Sequence, residues 1–372
     1  MKLSQQSLAR WASAAAIGMG VLVGCASADH RPAVAPRDPD AVRAEIGTLL
    51  PANVSHRTGW AVDIYAAFDA LKLDPTRENI CAVLAVTAQE SSFAADSPVA
   101  DLPKIARQEI DRRAASHHVP ELLVDAALAL RSPDGRTYAE RLESAHTEKA
   151  LSDLYEDFIG MVPLGSTLFA GLNPIRTVGP MQVSVTYAER FARERPYPYP
   201  GSGSVRHELF TRRGGMYFGI AHLLAYRAGY SAMIFRFADY NAGQYASREA
   251  AFQKAVSIAS KTPLVPDGDL RGADTHVPSE TELAIRKIGG QIAMSDAQIR
   301  SDLEQSRQAG FGDTTLYKKV FALAEHRAGH HLARALVPQI ELTGPKITRH
   351  LTTEWYAERV NGRYQQCLRR GI

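Results

Sequence analysis

Residues 78–91 read ENICAVLAVTAQES and decide the fold class. Their apolar positions follow the i, i+3, i+4 and i+7 spacing of one helix face: Ile80, Val83, Leu84 and Thr87. The stretch therefore predicts an amphipathic helix. Similar spacing recurs through most of the chain, and the sequence contains no alternating run of useful length for a strand. We therefore expect a mainly α protein.

Helical spacing continues on both sides of this stretch. It predicts further helices at residues 41–50, 62–73, 102–115, 120–130, 137–159, 214–229, 232–240 and 249–259. Residues 261–278 are rich in Pro, Gly and Asp, which predicts a linker or a long surface loop. Ser279-x-x-Glu282 is a capping box, and it predicts the start of a mainly helical region that extends to Ile372.

The composition is that of a globular protein. The chain has 372 residues, of which 45% are hydrophobic and 22% are charged, and this excludes a disordered scaffold. The 43 Lys and Arg against 40 Asp and Glu give a net charge of +3, too small a surplus to indicate a nucleic-acid binder. Neither the P-loop pattern nor the G-x-G-x-x-G fingerprint occurs. We therefore expect no cofactor, no metal site and no nucleic-acid partner.

The N-terminus predicts export. Lys2 and Arg10 precede a mostly small or apolar segment, which is the pattern of a signal peptide over residues 1–24. The segment ends in the letters LVGC at Cys25, which resemble the lipobox of bacterial lipoproteins. That resemblance implies lipidation of Cys25, a tether at residues 25–40 and an anchor in the outer membrane that faces the periplasm. A plain secretory signal is the alternative.

Two cysteines remain after removal of the signal and lipidation of Cys25. They are Cys81 and Cys367. An oxidising compartment favours a disulfide between them. Two buried free thiols that pack as small apolar side chains are the alternative. Both stay open, because the geometry that a disulfide needs cannot be derived from sequence.

Glu90 lies near the end of the helix predicted at residues 78–91. At about 100° per residue it falls about 20° from Val83, at the edge of the apolar stripe. A carboxyl group half buried among apolar side chains has a raised pKa and stays protonated near neutral pH. Such a group donates a proton to a glycosidic oxygen, so Glu90 is a candidate general acid. A solvated or structural glutamate is the alternative.

Three short segments carry a resemblance when they are taken together. They are Glu90-Ser-Ser-Phe93, Gly179-Pro-Met-Gln182 and Tyr240-Asn-Ala-Gly243. In this order they resemble the signature of soluble lytic transglycosylases, which are lysozyme-like enzymes that cleave peptidoglycan. The resemblance covers about residues 76–250, and it implies a lysozyme-like helical domain.

The resemblance implies that Glu90 is the catalytic acid and then the base, and that Ser91 orients it by a hydrogen bond. The N-acetyl oxygen of the substrate attacks the anomeric carbon while Glu90 protonates the leaving oxygen, without a second carboxylate. Glu90 then takes the proton of the sugar's 6-hydroxyl, which closes a 1,6-anhydro ring without water.

The same resemblance implies four supporting residues. Met181 and Gln182 would line the floor beneath the sugar that carries the cleaved bond. Tyr240 would hydrogen-bond near Glu90, and Asn241 would fix its loop or contact an N-acetyl group. The implied partner is a peptidoglycan glycan strand.

The chain departs from this family in one respect. Glu90 and Gln182 are 92 positions apart (182 − 90), whereas the family joins these motifs by a short loop. We therefore expect a lysozyme-like domain at residues 41–260 with a helical insertion at about residues 100–160. The linker at residues 261–278 and a C-terminal helical extension at residues 279–372 follow.

Two other functions remain open. A muramidase-type hydrolase needs a second carboxylate to place water, about 6.5–9.5 Å from the acid, and Asp96 and Asp239 are its candidates. A helix cap or a turn is the alternative role for Asp96. The other function is that of a peptidoglycan-binding envelope lipoprotein that has lost turnover.

Overall fold

The helix predicted around Ile80 is helix α3 (Arg77–Glu90), and it lies in the core. Thr76 caps its N-terminus, where the hydroxyl accepts a hydrogen bond from the Asn79 N–H over 3.2 Å. All side chains from Ile80 to Thr87 are buried. The helix is therefore enclosed by protein around its whole circumference along these turns.

The structure, a computed structural model, describes residues 37–96, 98–161, 173–201, 203–272, 274, 276–342 and 350–370. These ranges contain sixteen α-helices. Besides α3, those up to residue 194 are α1 (Pro39–Leu49), α2 (Arg57–Leu71), α4 (Leu102–Ser116), α5 (Glu121–Leu128), α6 (Tyr138–Glu143), α7 (Glu148–Gly160) and α8 (Val185–Glu194). The others are α9 (Val205–Leu209), α10 (Arg212–Leu224), α11 (Met233–Ala242), α12 (Ala246–Ser260), α13 (Glu280–Arg286), α14 (Asp296–Leu303), α15 (Thr315–Ala328) and α16 (Thr353–Leu368).

The strands in the described ranges are short. Strands β1 (Thr177–Val178) and β2 (Val183–Ser184) form one antiparallel pair. Strands β3 (Glu341–Leu342) and β4 (Leu351–Thr352) form another. A 3₁₀-helix at Ala309–Asp313 precedes α15. The predicted fold class, mainly α, is confirmed.

Some predicted helix boundaries are wrong. The single helix predicted at residues 137–159 is two helices, α6 and α7, because Thr147 begins a new one: its hydroxyl accepts a hydrogen bond from the Ala150 N–H over 3.2 Å. The helix predicted at residues 214–229 already ends at Leu224. The sequence reading also placed no helix at α8 or α9.

Three hydrophobic clusters organise the described residues. The first joins α1, α2, α3, α8, α10, α11 and α16 around side chains such as Phe68 and Phe218. The second joins α12 to α15 around Phe252. The third joins α4 to α7 around Tyr138, at the sequence position of the predicted insertion. The described residues from Asp38 onward belong to one compact unit.

Two segments beyond residue 260 pack against earlier parts of the chain. Helix α16, which the sequence reading assigned to the C-terminal extension, packs against α3 and α11 in the first cluster. Within the predicted linker or surface loop at residues 261–278, Asp267 and Gly268 are held by α12: the Gln253 amide donates to Asp267 Oδ1 over 2.7 Å and accepts from the Gly268 N–H over 2.8 Å.

No helix in the part of the chain that the structure describes has both the length and the apolar character needed to cross a membrane.

Candidate active site

Glu90 is the last residue of α3, where the chain leaves the helix through a tight turn. Ser92 and Phe93 have φ angles of 52° and 65°, in the left-handed region that non-glycine residues seldom adopt. Phe93 is buried, and its ring packs edge-on against Trp60 with centroids 5.4 Å apart. The Glu90 side chain is thereby held half-buried at the surface of the first cluster.

The second motif forms the turn between β1 and β2. Gly179 has a φ angle of 78°, and a side chain there would collide with the Leu209 carbonyl oxygen. Gln182 has a φ angle of 50°, a strained conformation for a residue with a side chain. Its amide accepts from Thr177 Oγ1 over 3.3 Å and donates to the Gly179 carbonyl over 3.2 Å. The turn therefore fixes where this amide lies.

Met181 anchors the turn from beneath. Its side chain is fully buried against α10, next to Gly219. A Cβ atom at residue 219 would lie 2.7 Å from the Met181 Cβ, so only glycine lets the turn approach this closely. Met181 thus supports the floor of the site from the core side.

Two hydrogen bonds join the three motifs. The Ser91 hydroxyl donates to the Pro180 carbonyl over 2.7 Å, which links the first motif to the second across the insertion. The Tyr240 hydroxyl donates to the Met181 carbonyl over 2.7 Å, which links the third motif to the second. These partners correct the expected role of Ser91, the hydroxyl of which bonds to backbone carbonyls and not to Glu90. Tyr240 makes a hydrogen bond near Glu90, as expected, and this bond holds two motifs together.

Tyr356 of α16 is the hydrogen-bond partner of Glu90, and sequence reasoning missed it. Its hydroxyl donates to Glu90 Oε1, and the tyrosine is 5% exposed. Burial raises the pKa of Glu90 to about 7, although this hydrogen bond opposes the rise. Glu90 therefore keeps its proton to a higher pH than an ordinary glutamate, in the direction that its position at the edge of the apolar stripe predicts.

A cavity of about 280 Å³ opens at Glu90. It is lined by Glu90, Ser91, Ala94, Ala95, Asp96, Val99, Glu148, Gly179, Gln182 and Phe210. A larger cavity of about 590 Å³ lies on the other side of Gln182, which lines both. Tyr240 and Asn241 line the larger cavity, whereas Met181 lines neither. The two cavities are neighbours along the line of the three motifs.

The smaller cavity holds two carboxylates besides Glu90. Asp96 is exposed, as expected for a candidate that meets water. Glu148, the first residue of α7, comes from the inserted helices, and its Oε2 accepts a hydrogen bond from Gln182 Nε2 over 3.4 Å. The sequence reading did not consider Glu148, because nothing local relates an insertion residue to Glu90.

Asp239 has a structural environment, which corrects its candidacy as the base that places water. It is fully buried and lines neither cavity. Its carboxylate accepts the Tyr226 hydroxyl over 2.8 Å, the Tyr230 hydroxyl, the Tyr245 N–H over 3.1 Å and the Ser247 N–H over 2.7 Å. Asp239 therefore fixes the bend between α11 and α12.

The remaining predicted residues have structural partners. Asn241 Oδ1 accepts from the Thr353 hydroxyl over 2.8 Å, which ties its loop to the start of α16. Cys81 and Cys367 form a disulfide between α3 and α16, with Cα atoms 5.5 Å apart. Cys25, with the signal and most of the tether, lies outside the described residues.

Comparisons with known proteins give relatives but no activity. Residues 53–370 match the family described as "Protein of unknown function (DUF1615)". "Uncharacterized protein YaiW" of Escherichia coli (strain K12) is 50% identical over 349 residues, which cover 94% of this chain and 95% of the relative. No solved structure matches the chain. Function must therefore be argued from the site.

Proposed function

We propose that this chain, which belongs to the DUF1615 family, is a lytic transglycosylase that cleaves the β-1,4 bond between N-acetylmuramic acid and N-acetylglucosamine in peptidoglycan. One observation carries the proposal: Glu90 is a half-buried carboxyl group with a pKa of about 7, and it lines a cavity where the first two motifs meet. A carboxyl group that is partly protonated at neutral pH can act first as an acid and then as a base.

In the proposed reaction Glu90 protonates the glycosidic oxygen while the N-acetyl oxygen of the muramic acid attacks its own anomeric carbon. The glycosidic bond breaks and the N-acetylglucosamine end leaves with the proton of Glu90. The Glu90 carboxylate then takes the proton of the 6-hydroxyl, the oxygen of which attacks the anomeric carbon; the bond from that carbon to the acetyl oxygen breaks, which restores the N-acetyl group and closes the 1,6-anhydro ring. Atoms balance without water. The Tyr356 hydroxyl stabilises the carboxylate between the two steps, because a hydrogen bond to the charged form favours that form.

The second candidate is a hydrolase. Asp96 and Glu148 line the same cavity as Glu90, and these two carboxylates are the candidates to orient a water molecule. The two reactions differ in their products, because a hydrolase leaves a reducing end and a transglycosylase leaves an anhydro ring that is one water lighter.

The deciding experiment is mass spectrometry of muropeptides released from purified peptidoglycan by the signal-free protein. Anhydro-muramic ends that disappear in Glu90→Gln support the transglycosylase. Reducing ends that disappear in Glu90→Gln overturn it in favour of the hydrolase, and Asp96→Asn and Glu148→Gln then identify the base. Binding to peptidoglycan without any release points to a catalytically inactive envelope lipoprotein.

We also propose that the enzyme works from a lipid anchor at Cys25 on the periplasmic face of the outer membrane. A lipobox-like sequence after a signal-peptide pattern supports this location. Labelling of growing cells with a radioactive fatty acid tests it: the protein should incorporate the label, and Cys25→Ser, which has no thiol at that position, should not. Absence of label from the unmutated protein would contradict the anchor.

A further inference from the structure

The larger cavity contains a buried carboxyl group that the proposed reaction does not use. Glu249, on α12, is 2% exposed and lines this cavity. Its Oε1 is buried and has no hydrogen-bond partner among the described residues. An unsatisfied buried acceptor costs free energy and needs an explanation in a native structure.

The neighbouring arginine does not satisfy Glu249. Arg248 Nη2 lies 3.8 Å from Glu249 Oε1, beyond hydrogen-bond distance. The Arg248 guanidinium instead donates to the carbonyl oxygens of Ser306, Gln308 and Ala309. Burial raises the pKa of Glu249 well above its usual value. Oε1 thus lacks a donor at the edge of the cavity, and an ammonium group placed there would favour the ionised carboxylate and lower this pKa.

Two more carboxylates line the same cavity from the segment that follows α12. The hydrogen bonds that fix Asp267 and Asp269 are accepted by Oδ1 in both residues. Gly268 between them has a φ angle of 80° and packs against the backbone of Ala246, so the segment is held rigidly against α12. The cavity therefore has a fixed acidic wall.

Two arginines that line the cavity carry positive charge. Arg307 lies within 3.4 Å of Asp269 Oδ1 and is largely exposed, whereas Arg190 lies over the Tyr187 ring at 5.7 Å. Three acidic side chains and two arginines thus line a space of about 590 Å³. That volume is within the range of ligand sites. The charges complement a ligand that carries both an ammonium and a carboxylate group.

We infer that the larger cavity binds a peptide branch of the glycan strand, with Glu249 receiving an ammonium group of that peptide. This inference rests on the proposed function, because the cavity adjoins the Glu90 cavity at Gln182. N-acetylated sugars carry no ammonium group, whereas the peptides attached to muramic acid do. The enzyme accordingly prefers peptide-bearing strands to strands without peptides.

The test is calorimetric binding of a purified disaccharide-peptide to the Glu90→Gln protein, which does not cleave it. Two forms of the probe are compared, one with free amines and one with its amines acetylated. We expect acetylation to weaken binding at least tenfold. Equal affinities, or no binding of the free-amine form, would overturn the inference without reference to any variant's folding.

A matched pair of variants assigns the effect to the cavity. Glu249→Gln in the same protein should bind both forms of the probe with equal, weak affinity. Asp274→Asn removes one negative charge from the same segment at an exposed position that does not line the cavity, and it should keep the tenfold preference. A preference that survives Glu249→Gln would contradict the assignment.

Failure of this inference is distinguishable from failure of the proposed function. If binding depends on the free amines but the unmutated protein cleaves no peptidoglycan, the peptide-binding inference is supported and the proposed transglycosylase activity is overturned. If kcat/KM is equal on peptide-bearing and peptide-free strands, the transglycosylase activity is supported and the peptide-binding inference is overturned.

Discussion

Glu90 and Asp239 are both buried or half-buried carboxyl groups whose pKa values burial raises, to about 7 and about 6. Their surroundings differ. Glu90 lines a cavity and accepts the Tyr356 hydroxyl, whereas Asp239 accepts two tyrosine hydroxyls and two backbone N–H groups and lines neither cavity. A raised pKa alone therefore does not mark a catalytic group. A catalytic carboxyl group also needs access to a substrate and an oxygen that is not already occupied by structural hydrogen bonds.

The largest expected effect is on the rate of peptidoglycan cleavage, which should depend on Glu90 and not on Asp239. Glu90→Gln should lower kcat/KM on peptidoglycan by about 10²–10⁴-fold, the usual contribution of a general acid. Glu78→Gln is the matched control, because Glu78 is an exposed residue of the same helix. Muropeptide release is the measurement, and a Glu90→Gln variant that keeps its rate would remove Glu90 from the reaction.

A second effect is the dependence of stability on pH. Glu90 binds its proton more tightly in the folded chain, with a pKa of about 7 against 4.5 in the unfolded reference. Its contribution to folding is therefore fully present below pH 4.5 and is lost as the pH rises through 7, by at most about 3 kcal/mol.

Urea unfolding at several pH values measures this loss. In Glu90→Gln the free energy of unfolding should fall less steeply between about pH 5 and 8 than in the unmutated protein. The parts that belong to Asp239, which ends near its own pKa of about 6, and to Glu249, the pKa of which burial also raises, should remain. Identical curves for both proteins would mean that Glu90 has an ordinary pKa.

Asp239→Asn should give the opposite result to Glu90→Gln: a less stable protein with an intact site. Asparagine replaces one carboxylate oxygen by an NH₂ group, which cannot accept a hydrogen bond. One of the present donors, for example the Ser247 N–H, would then face another donor and lose its hydrogen bond. We expect a loss of about 1–3 kcal/mol in the free energy of unfolding at pH 7.5. Activity per folded molecule should stay within about twofold, and a selective loss of turnover would reinstate Asp239 as a reacting group.

The smallest expected effect concerns Tyr356. Its hydrogen bond lowers the pKa of Glu90, so Tyr356→Phe should raise that pKa and move the fall of kcat/KM at alkaline pH upward by about one unit. Tyr364→Phe removes a hydroxyl from the same helix, where the ring packs against Phe237, and should leave the profile in place. A profile that moves equally in both variants would indicate a general change in α16.

Local signals were enough to predict part of the site. The position of Glu90 at the edge of the apolar stripe follows from helical spacing within one element. The contact between Glu90 and Tyr356 spans 266 positions, so no local pattern contains it. Glu148 was missed for the same reason, because it belongs to another hydrophobic cluster of the fold.

One signal for Tyr356 was nevertheless present in the sequence. A disulfide between Cys81 and Cys367 places their helices side by side. Glu90 is nine positions after Cys81, and Tyr356 is eleven positions before Cys367. At about 1.5 Å per residue these are rises of about 14 and 16 Å, so antiparallel helices bring the two side chains to one level. The cysteine pair, taken as bonded, would have placed the two side chains at one level, but not on facing sides, because nine residues at about 100° each turn Glu90 about 180° around α3 from Cys81.

The distance along the chain between Glu90 and Tyr356 also bears on when the site around Glu90 is complete. Synthesis proceeds from the N-terminus, so a growing chain carries its acid long before residue 356 exists. A polypeptide that stops before Thr353 lacks the helix that encloses Glu90 and the cysteine that fastens it. The environment that raises the pKa of Glu90 would thus be complete only once synthesis of the chain is complete.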